Sequence, residues 1–259
     1  APRLATQVGR YAHAKQYKRM RAAIKTLRTR VGRVQRDVQR QLAKLPEQVQ
    51  TKGHDLLQRV GRILTQKTKD KNKLYALHAP EVECISKGKA RNPYEFGVKV
   101  TLATTLKEGL VVGMRSMPGN PYDGHTLDET IEQVGILANQ RPRTVMVDKG
   151  YKGAEVEGVQ ILRSGQRRGV TRTMKAMIKR RSAIEPTIGH MKSDGRLDRN
   201  PLKGALGDAL HAVLCGAGHN IRLLLSLLRL FVAHLRAIVL AWLGRSASGY
   251  TRQVALAAA

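Results

Sequence analysis

Acids and cysteines are scarce in this chain. Against 47 Lys and Arg there are only 19 Asp and Glu in 259 residues, a net charge of +28 and a pI near 10.9. A field of that sign attracts polyanions, so nucleic acid is the leading partner, ahead of an anionic membrane or a ribosomal assembly. The 2 cysteines, Cys84 and Cys215, lie far apart and in no Cys-x-x-Cys arrangement. That argues against a disulfide framework or a zinc site and fits a reducing compartment. The histidines match no His-Glu-x-x-His spacing. Neither a Walker A loop nor a dinucleotide glycine fingerprint is present, which leaves nucleotide hydrolysis without support, and no Gly-x-Ser-x-Gly elbow appears. The basic N-terminal stretch has no continuous apolar core and so no visible signal peptide. The first residue is Ala rather than Met, and the chain is expected to be incomplete.

What is present divides into three blocks, residues 1–73, 74–220 and 221–259. In the first, Ile24, Leu27, Val31, Val34, Val38, Leu42 and Leu45 repeat by three and four, a helical stripe of coiled-coil type set among arginines and lysines. Pro46 ends that helix, and Leu56, Leu57, Val60, Ile63 and Leu64 mark a partner, so the block reads as a basic helical hairpin. In the second block, Tyr94–Thr104 alternates and is rich in β-branched and aromatic residues, which reads as a strand. Glu108-Gly109 is a turn, and Leu110–Met117 is the hairpin partner. Thr126 is expected to cap a helix to about Leu137, with Asp128 and Glu129 early in it. Thr144–Val147 and Val159–Leu162 are short strands, and a long helix follows from about Thr173 to Met191. The order is a mixed α/β plan. Ile221–Leu243 is apolar, but Arg222, Arg229 and Arg236 recur every seven residues with His234 beside the last. A lone bilayer helix does not carry arginines through its centre, so an amphipathic packing or dimerising helix is expected rather than a membrane-surface helix or a span.

Two acids stand out from the rest. Asp148 closes the apolar run Thr144-Val-Met-Val-Asp148, at the strand end where α/β folds build sites. It is followed by Lys149-Gly150-Tyr151-Lys152-Gly153, whose Tyr151 and Lys152 are placed to reach a nucleic-acid backbone. The competing reading of Asp148 is an ordinary turn or cap residue. Glu185 lies in Arg181-Ser-Ala-Ile-Glu185-Pro-Thr-Ile-Gly-His-Met-Lys192, and helical spacing puts Arg181, Glu185 and Lys192 on one face. Its apolar neighbours imply partial burial and a need for a partner. The competing reading here is a plain i,i+4 ion pair. Between Glu157 and Glu185 there is no acid, while Arg163, Arg167, Arg168, Arg172, Lys175, Lys179, Arg180 and Arg181 accumulate, a pattern that points to nucleic-acid contact. Carboxylate oxygens suit Mg²⁺ or Mn²⁺ rather than zinc. His125, near Asp123, reads as a satisfied loop residue or a group supporting the site.

Several runs are specific: Leu77-His-Ala-Pro-Glu-Val-Glu-Cys-Ile-Ser-Lys-Gly-Lys89, Tyr94-Glu-Phe-Gly-Val-Lys99, Pro118-Gly-Asn-Pro-Tyr-Asp-Gly-His-Thr126, Val147-Asp-Lys-Gly-Tyr-Lys-Gly153, Ser164-Gly-Gln-Arg-Arg-Gly169 and the Arg181–Lys192 run. With them the segment from about Leu74 to Leu225 resembles the bacterial DDE transposases of the insertion-sequence five family. The resemblance implies an RNase H-like mixed sheet with flanking helices, preceded by the basic helical hairpin as an insertion. It implies Asp148 as the second and Glu185 as the third of three metal-binding catalytic acids. The family signature of Tyr, two residues, Arg, three residues, Glu, six residues, Lys is matched at Arg181, Glu185 and Lys192, with Ile178 standing where the Tyr would be. No Asp in this chain follows an early apolar strand, so the first acid is expected to be missing and the chain to be an N-terminally truncated copy.

The activity implied is Mg²⁺- or Mn²⁺-dependent cleavage and transfer of DNA strands at terminal inverted repeats. Arg181, Lys192, Lys149, Tyr151, Lys152, Arg167 and Arg168 are the expected DNA contacts. A homo-oligomer that holds two DNA ends, in the bacterial cytoplasm at the nucleoid and without a membrane, follows from the same resemblance. The rivals are an inactive DNA-binding remnant, a structural nucleic-acid protein and, on the Ile221–Leu243 run alone, a membrane-associated protein.

Overall fold

The computed structural model describes residues 2–67, 69–87 and 93–257, with side chains described as far as 243; the Gly88-Lys89 end of the first quoted run lies outside them. The chain divides into two compact units, Ala1–Val98 and Lys99–Ala259.

Three helices dominate the first unit: α1 (Pro2–His13), α2 (Tyr17–Leu42) and α3 (Glu47–Thr65). The α2–α3 hairpin forms as the apolar spacing predicts, but α2 stops at Leu42 and Leu45 lies in the turn beyond it. The extended backbone of Pro46 (φ −55°, ψ 148°) starts α3, a position that needs no proline N–H. The coiled-coil stripe is covered only in part. Leu42 and Ala23 are buried, whereas Val31, Val34 and Val38 stay exposed. Polar side chains bridge the two helices instead, Gln35 Nε2 donating to the Leu57 carbonyl at 3.2 Å and Arg28 to the Leu64 carbonyl. Strands β1 (Glu83–Ser86) and β2 (Tyr94–Gly97) complete the unit as an antiparallel pair. β1 has no alternation long enough to be read from sequence.

The strand expected over Tyr94–Thr104 is split. Gly97 takes φ +152°, open to a residue without Cβ, and the ladder changes partner across Val98. Past the break, β3 (Lys99–Thr104) pairs antiparallel with β4 (Val111–Met117) from Lys99↔Met117 to Thr104↔Val111. The turn between them is closed by Thr105, whose N–H donates to the Leu110 carbonyl at 2.8 Å and whose hydroxyl accepts from Leu110 N–H at 3.1 Å.

Helix α4 (Leu127–Ala138) follows a 3₁₀ turn, Asp123–Thr126. Thr126 stands at its start in helical backbone and makes no cap; its hydroxyl donates back to the Asp123 carbonyl at 2.8 Å. Strands β5 (Thr144–Val147) and β6 (Gln160–Arg163) are parallel. The strands described pair two by two, and no ladder joins β3 to β5, so the expected single mixed sheet is not formed as one ladder.

The helix expected over residues 173–191 is broken into α5 (Arg172–Arg180), a 3₁₀ turn at Arg181–Ala183, and α6 (Ile184–Ser193). Pro186 is the physical reason: without an N–H it gives no bond to the Ser182 carbonyl, and its ring crowds the turn before it. Helix α7 (Gly204–Ala257) is continuous across residue 221, so the expected boundary there is a change of burial and not of backbone. Its first part packs on β4, and Gly216 permits the approach, since a Cβ there would lie 3.0 Å from Val111. Met114, Met191, Ala212 and Cys215 form the core between these elements. From Leu224 to Leu243 the apolar side chains are exposed, and Gly204–Leu243 is long and apolar enough to cross a membrane by length and composition.

Candidate active site

Asp148 is positioned by β5. Val147, one residue before it, is buried with Leu127 and Ile131, which fixes the end of the strand. The chain then enters a 3₁₀ turn, Lys149–Tyr151, and Asp148 Oδ1 accepts from Lys149 N–H at 2.7 Å. Asp148 is thus a cap, as the plainer reading had it. It is also an ion-pair partner: Arg181 Nη2 lies 3.8 Å from Asp148 Oδ1 and 3.6 Å from Glu185 Oε1. The fold therefore brings the two acids of distant sequence onto one guanidinium. Arg181 is the enclosed member, its side chain 17% exposed, against 61% for Asp148 and 71% for Glu185. Glu185 is not partly buried as expected, because its neighbours Ile184 and Ile188 take the inner side of α6 and line the cleft.

That cleft, of about 840 Å³, runs between β3 and β5 with α4 and α6 as further walls. Tyr151 and Arg181 line it with Asp148. The ring of Tyr151 packs on the Leu127, Ile131 and Val147 cluster and its hydroxyl is bonded to Thr126. Burial pushes its phenol above the ordinary value, the Thr126 bond opposes this, and the carboxylates of Asp123 and Asp148 add to the rise. Tyr151 is a half-buried wall residue of the cleft.

The remaining expected DNA contacts are spread around the site. The aliphatic end of Lys149 lies against Gly165, in the loop after β6. Lys152 is exposed and its carbonyl accepts from the Tyr122 hydroxyl at 3.0 Å. Arg167 and Arg168 are exposed on the β6–α5 loop, which Gln166 braces through Arg163 N–H and the Arg168 carbonyl. Lys192 is half-buried on α6 and is not part of the cleft wall. The 3₁₀ turn at Arg181 breaks the single helical face that was to align it with Arg181.

Two contributions escaped the sequence reading. Arg180 donates from Nε to the Leu106 carbonyl at 2.8 Å and from Nη2 to the Lys107 carbonyl at 2.7 Å, so this cation of the basic run anchors α5 to the β3–β4 turn. Asp123 pairs with Lys99 Nζ at 2.9 Å and reaches Gly150. The quoted run Pro118–Thr126 signalled that segment but not its partner, because Lys99 is remote in sequence. His125 is exposed, with its ring edge-on to Tyr122.

A family model for the transposase DDE domain matches residues 63–221. The chain belongs to the DDE transposase domain family. No curated protein and no solved structure matches it. Membership indicates a transposase, a nuclease-like class of enzyme that acts on DNA and uses divalent metal ions. The residues present fit such an ion in kind. Two hard carboxylates converge where a cation, the Arg181 guanidinium, already stands, and Mg²⁺ is commonly held by one or two carboxylates with water and phosphate completing its shell. Among the described residues no group of three or more His, Cys, Asp or Glu converges.

Proposed function

We propose that this chain is the transposase of a bacterial insertion sequence of family five, with an RNase H-like catalytic region in which Asp148 and Glu185 hold Mg²⁺ or Mn²⁺ for DNA strand cleavage and transfer. The observation that supports it is the convergence of Asp148 and Glu185 on Arg181 inside a DDE transposase domain. A bound ion of this type supplies charge neutralisation and an activated oxygen nucleophile for phosphodiester chemistry. The chain's own groups do the rest. Asp148 and Glu185 provide acceptor oxygens. Arg181 balances them, and it turns to a phosphate when the acids take another cation. Lys149, Lys152, Arg167, Arg168 and Lys192 position the DNA backbone by charge.

A second reading, a DNA-binding remnant that does not cleave, is favoured by one observation: no third acid joins the pair among the described residues. One set of measurements separates the two. Mn²⁺ binding to the full chain, followed by electron paramagnetic resonance, is expected to be lost in Asp148→Asn and in Glu185→Gln. Arg181→Ala is expected to tighten it by up to about tenfold, as a competing positive charge leaves. Retention of the signal in both acid variants overturns the metal assignment. Binding to random duplex DNA should weaken steeply with salt whether or not nicking of a supercoiled plasmid is seen, and nicking decides between enzyme and remnant.

A further inference from the structure

Asp148 is held differently on its two sides. Before it, β5 lies in its ladder with β6, and Ser164 N–H donates to the Val147 carbonyl at 2.9 Å. After it the chain leaves the ladder for the 3₁₀ turn Lys149–Tyr151, which Asp148 itself caps. The carboxylate is exposed, and 3.8 Å to Arg181 is longer than a hydrogen bond, so its direction follows that of the turn. Residues 122–126 grip that turn at successive points. The Tyr122 hydroxyl donates to the Lys152 carbonyl at 3.0 Å, Asp123 lies against Gly150, and Thr126 bonds the Tyr151 hydroxyl. The middle grip is the one anchored elsewhere. Half-buried Lys99, at the start of β3, donates from Nζ to Asp123 Oδ1 at 2.9 Å and to the Pro121 carbonyl at 2.5 Å. Asp123 Oδ2 faces Gly150, where a Cβ would stand 2.6 Å away. Gly153 takes φ +79°, whereas Gly150 has no positive φ; Gly150 is bare for the room it leaves and not for its backbone angle.

We propose that Asp123 is a positioning residue: pinned by Lys99 and seated against Gly150, it fixes the turn that directs the Asp148 carboxylate. A ligand is useful to an ion only if it is already aimed, and an exposed carboxylate on a turn has no packing of its own to aim it. Asp123 supplies the aim from behind. Its Oδ1 is engaged by an ammonium and its Oδ2 is turned to the Gly150 backbone, so it acts through the turn and not as a further ligand. Lys99 ties the assembly to the β3–β4 ladder, and the end of β5 is thereby referred to a second, separately paired part of the same unit. A longer side chain at position 150 would displace Asp123 from its seat, which makes Asp123 and Gly150 one device. The inference rests on the reading of Asp148 as a metal-binding acid, and adds to it the residue that holds that acid in place.

The test uses the full chain and four variants: Asp123→Ala, Asp123→Asn, Gly150→Ala, and Asp123→Ala with Gly150→Ala. Two quantities are read, the Kd for Mn²⁺ by electron paramagnetic resonance and, without metal, amide exchange at Lys149 and Tyr151. Asp123→Ala and Gly150→Ala are each expected to weaken Mn²⁺ binding about tenfold and to speed the exchange by a similar factor. The double variant should lose no more than either single one, because the added methyl group has nothing left to displace. Asp123→Asn keeps an acceptor for Lys99 in the same place and should recover most of the affinity. Losses that multiply in the double variant mean two independent disturbances and overturn the device. Parent-like affinity in Asp123→Ala overturns it as well. A loss in Asp123→Asn as large as in Asp123→Ala means that the charge itself is felt by the ion, and the positioning role falls. If the parent chain binds no Mn²⁺, the metal reading fails, and exchange alone decides the device: unchanged exchange in Asp123→Ala overturns it.

Discussion

Helices α2 and α4 spend their apolar residues in opposite ways. In α2 the middle of the stripe, Val31, Val34 and Val38, is 41%, 61% and 43% exposed, and the helix is tied to α3 by Gln35 and Arg28. In α4 the residues Leu127, Thr130, Ile131 and Val134 are buried against β3, β4 and β5, although its amphipathic contrast is weaker. Periodicity states which face a helix can bury, but a second surface must come to cover it. For α4 that surface is assembled from strands remote in sequence. For the middle of α2 it is not.

The largest expected effect tests this contrast directly. Ile131→Ala should cost about 2–5 kcal/mol of unfolding free energy in a urea titration, the range for emptying a buried aliphatic site. A cost near zero would mean that α4 is no better covered than α2. Asn220→Ala comes next, because its side chain donates to the Val111 carbonyl at 2.8 Å and accepts from Val111 N–H at 2.7 Å. Leaving both groups of β4 without that partner should cost about 1–3 kcal/mol, read by the same titration, and faster amide exchange at Val111 should accompany it.

Tyr151 sharpens the comparison through pH. Its raised phenol keeps its proton in the folded chain after an unfolded tyrosine, at 10.0, has lost it. Proton loss then favours unfolding: this contribution is complete below pH 10.0 and is lost as pH rises through the folded value. The Tyr151→Phe chain should show a shallower alkaline decline in stability, measured from pH 9 upward in about half-unit steps. An unchanged slope would remove Tyr151 from the wall of the cleft. Val34→Ala is the smallest, expected within about 0.5 kcal/mol of the parent, because the side chain is already in water. If it cost as much as Ile131→Ala, the stripe on α2 would have a cover and the contrast would be gone.

Much of the site was legible in the chain. Asp148 at a strand end and Glu185 four residues after Arg181 are local patterns, and β5, α4 and the β3–β4 turn follow from alternation, helical spacing and Gly109. The misreadings share a cause: each needed a neighbour the chain does not carry beside it. Tyr94–Thr104 looks like one strand until its two ends find different partners across Gly97. The α5–α6 run looks like one helix because Pro186 sits where only the missing bond to Ser182, and not the spacing, betrays a break. The sequence neighbours of Glu185 predict partial burial, but the cleft takes Ile184 and Ile188 and leaves the acid exposed.

Composition and local pattern were enough for the net charge, the α2–α3 hairpin, the β3–β4 hairpin and the family to which residues 63–221 belong. These rest on composition, on periods of two and 3.6 residues, and on runs that read locally. Packing alone brings Asp148 and Glu185 to one guanidinium, sets Arg180 on a turn while Arg181 faces the acids, and leaves β3 and β5 in separate ladders that line one cleft. Those are distances between residues far apart along the chain, and packing sets them.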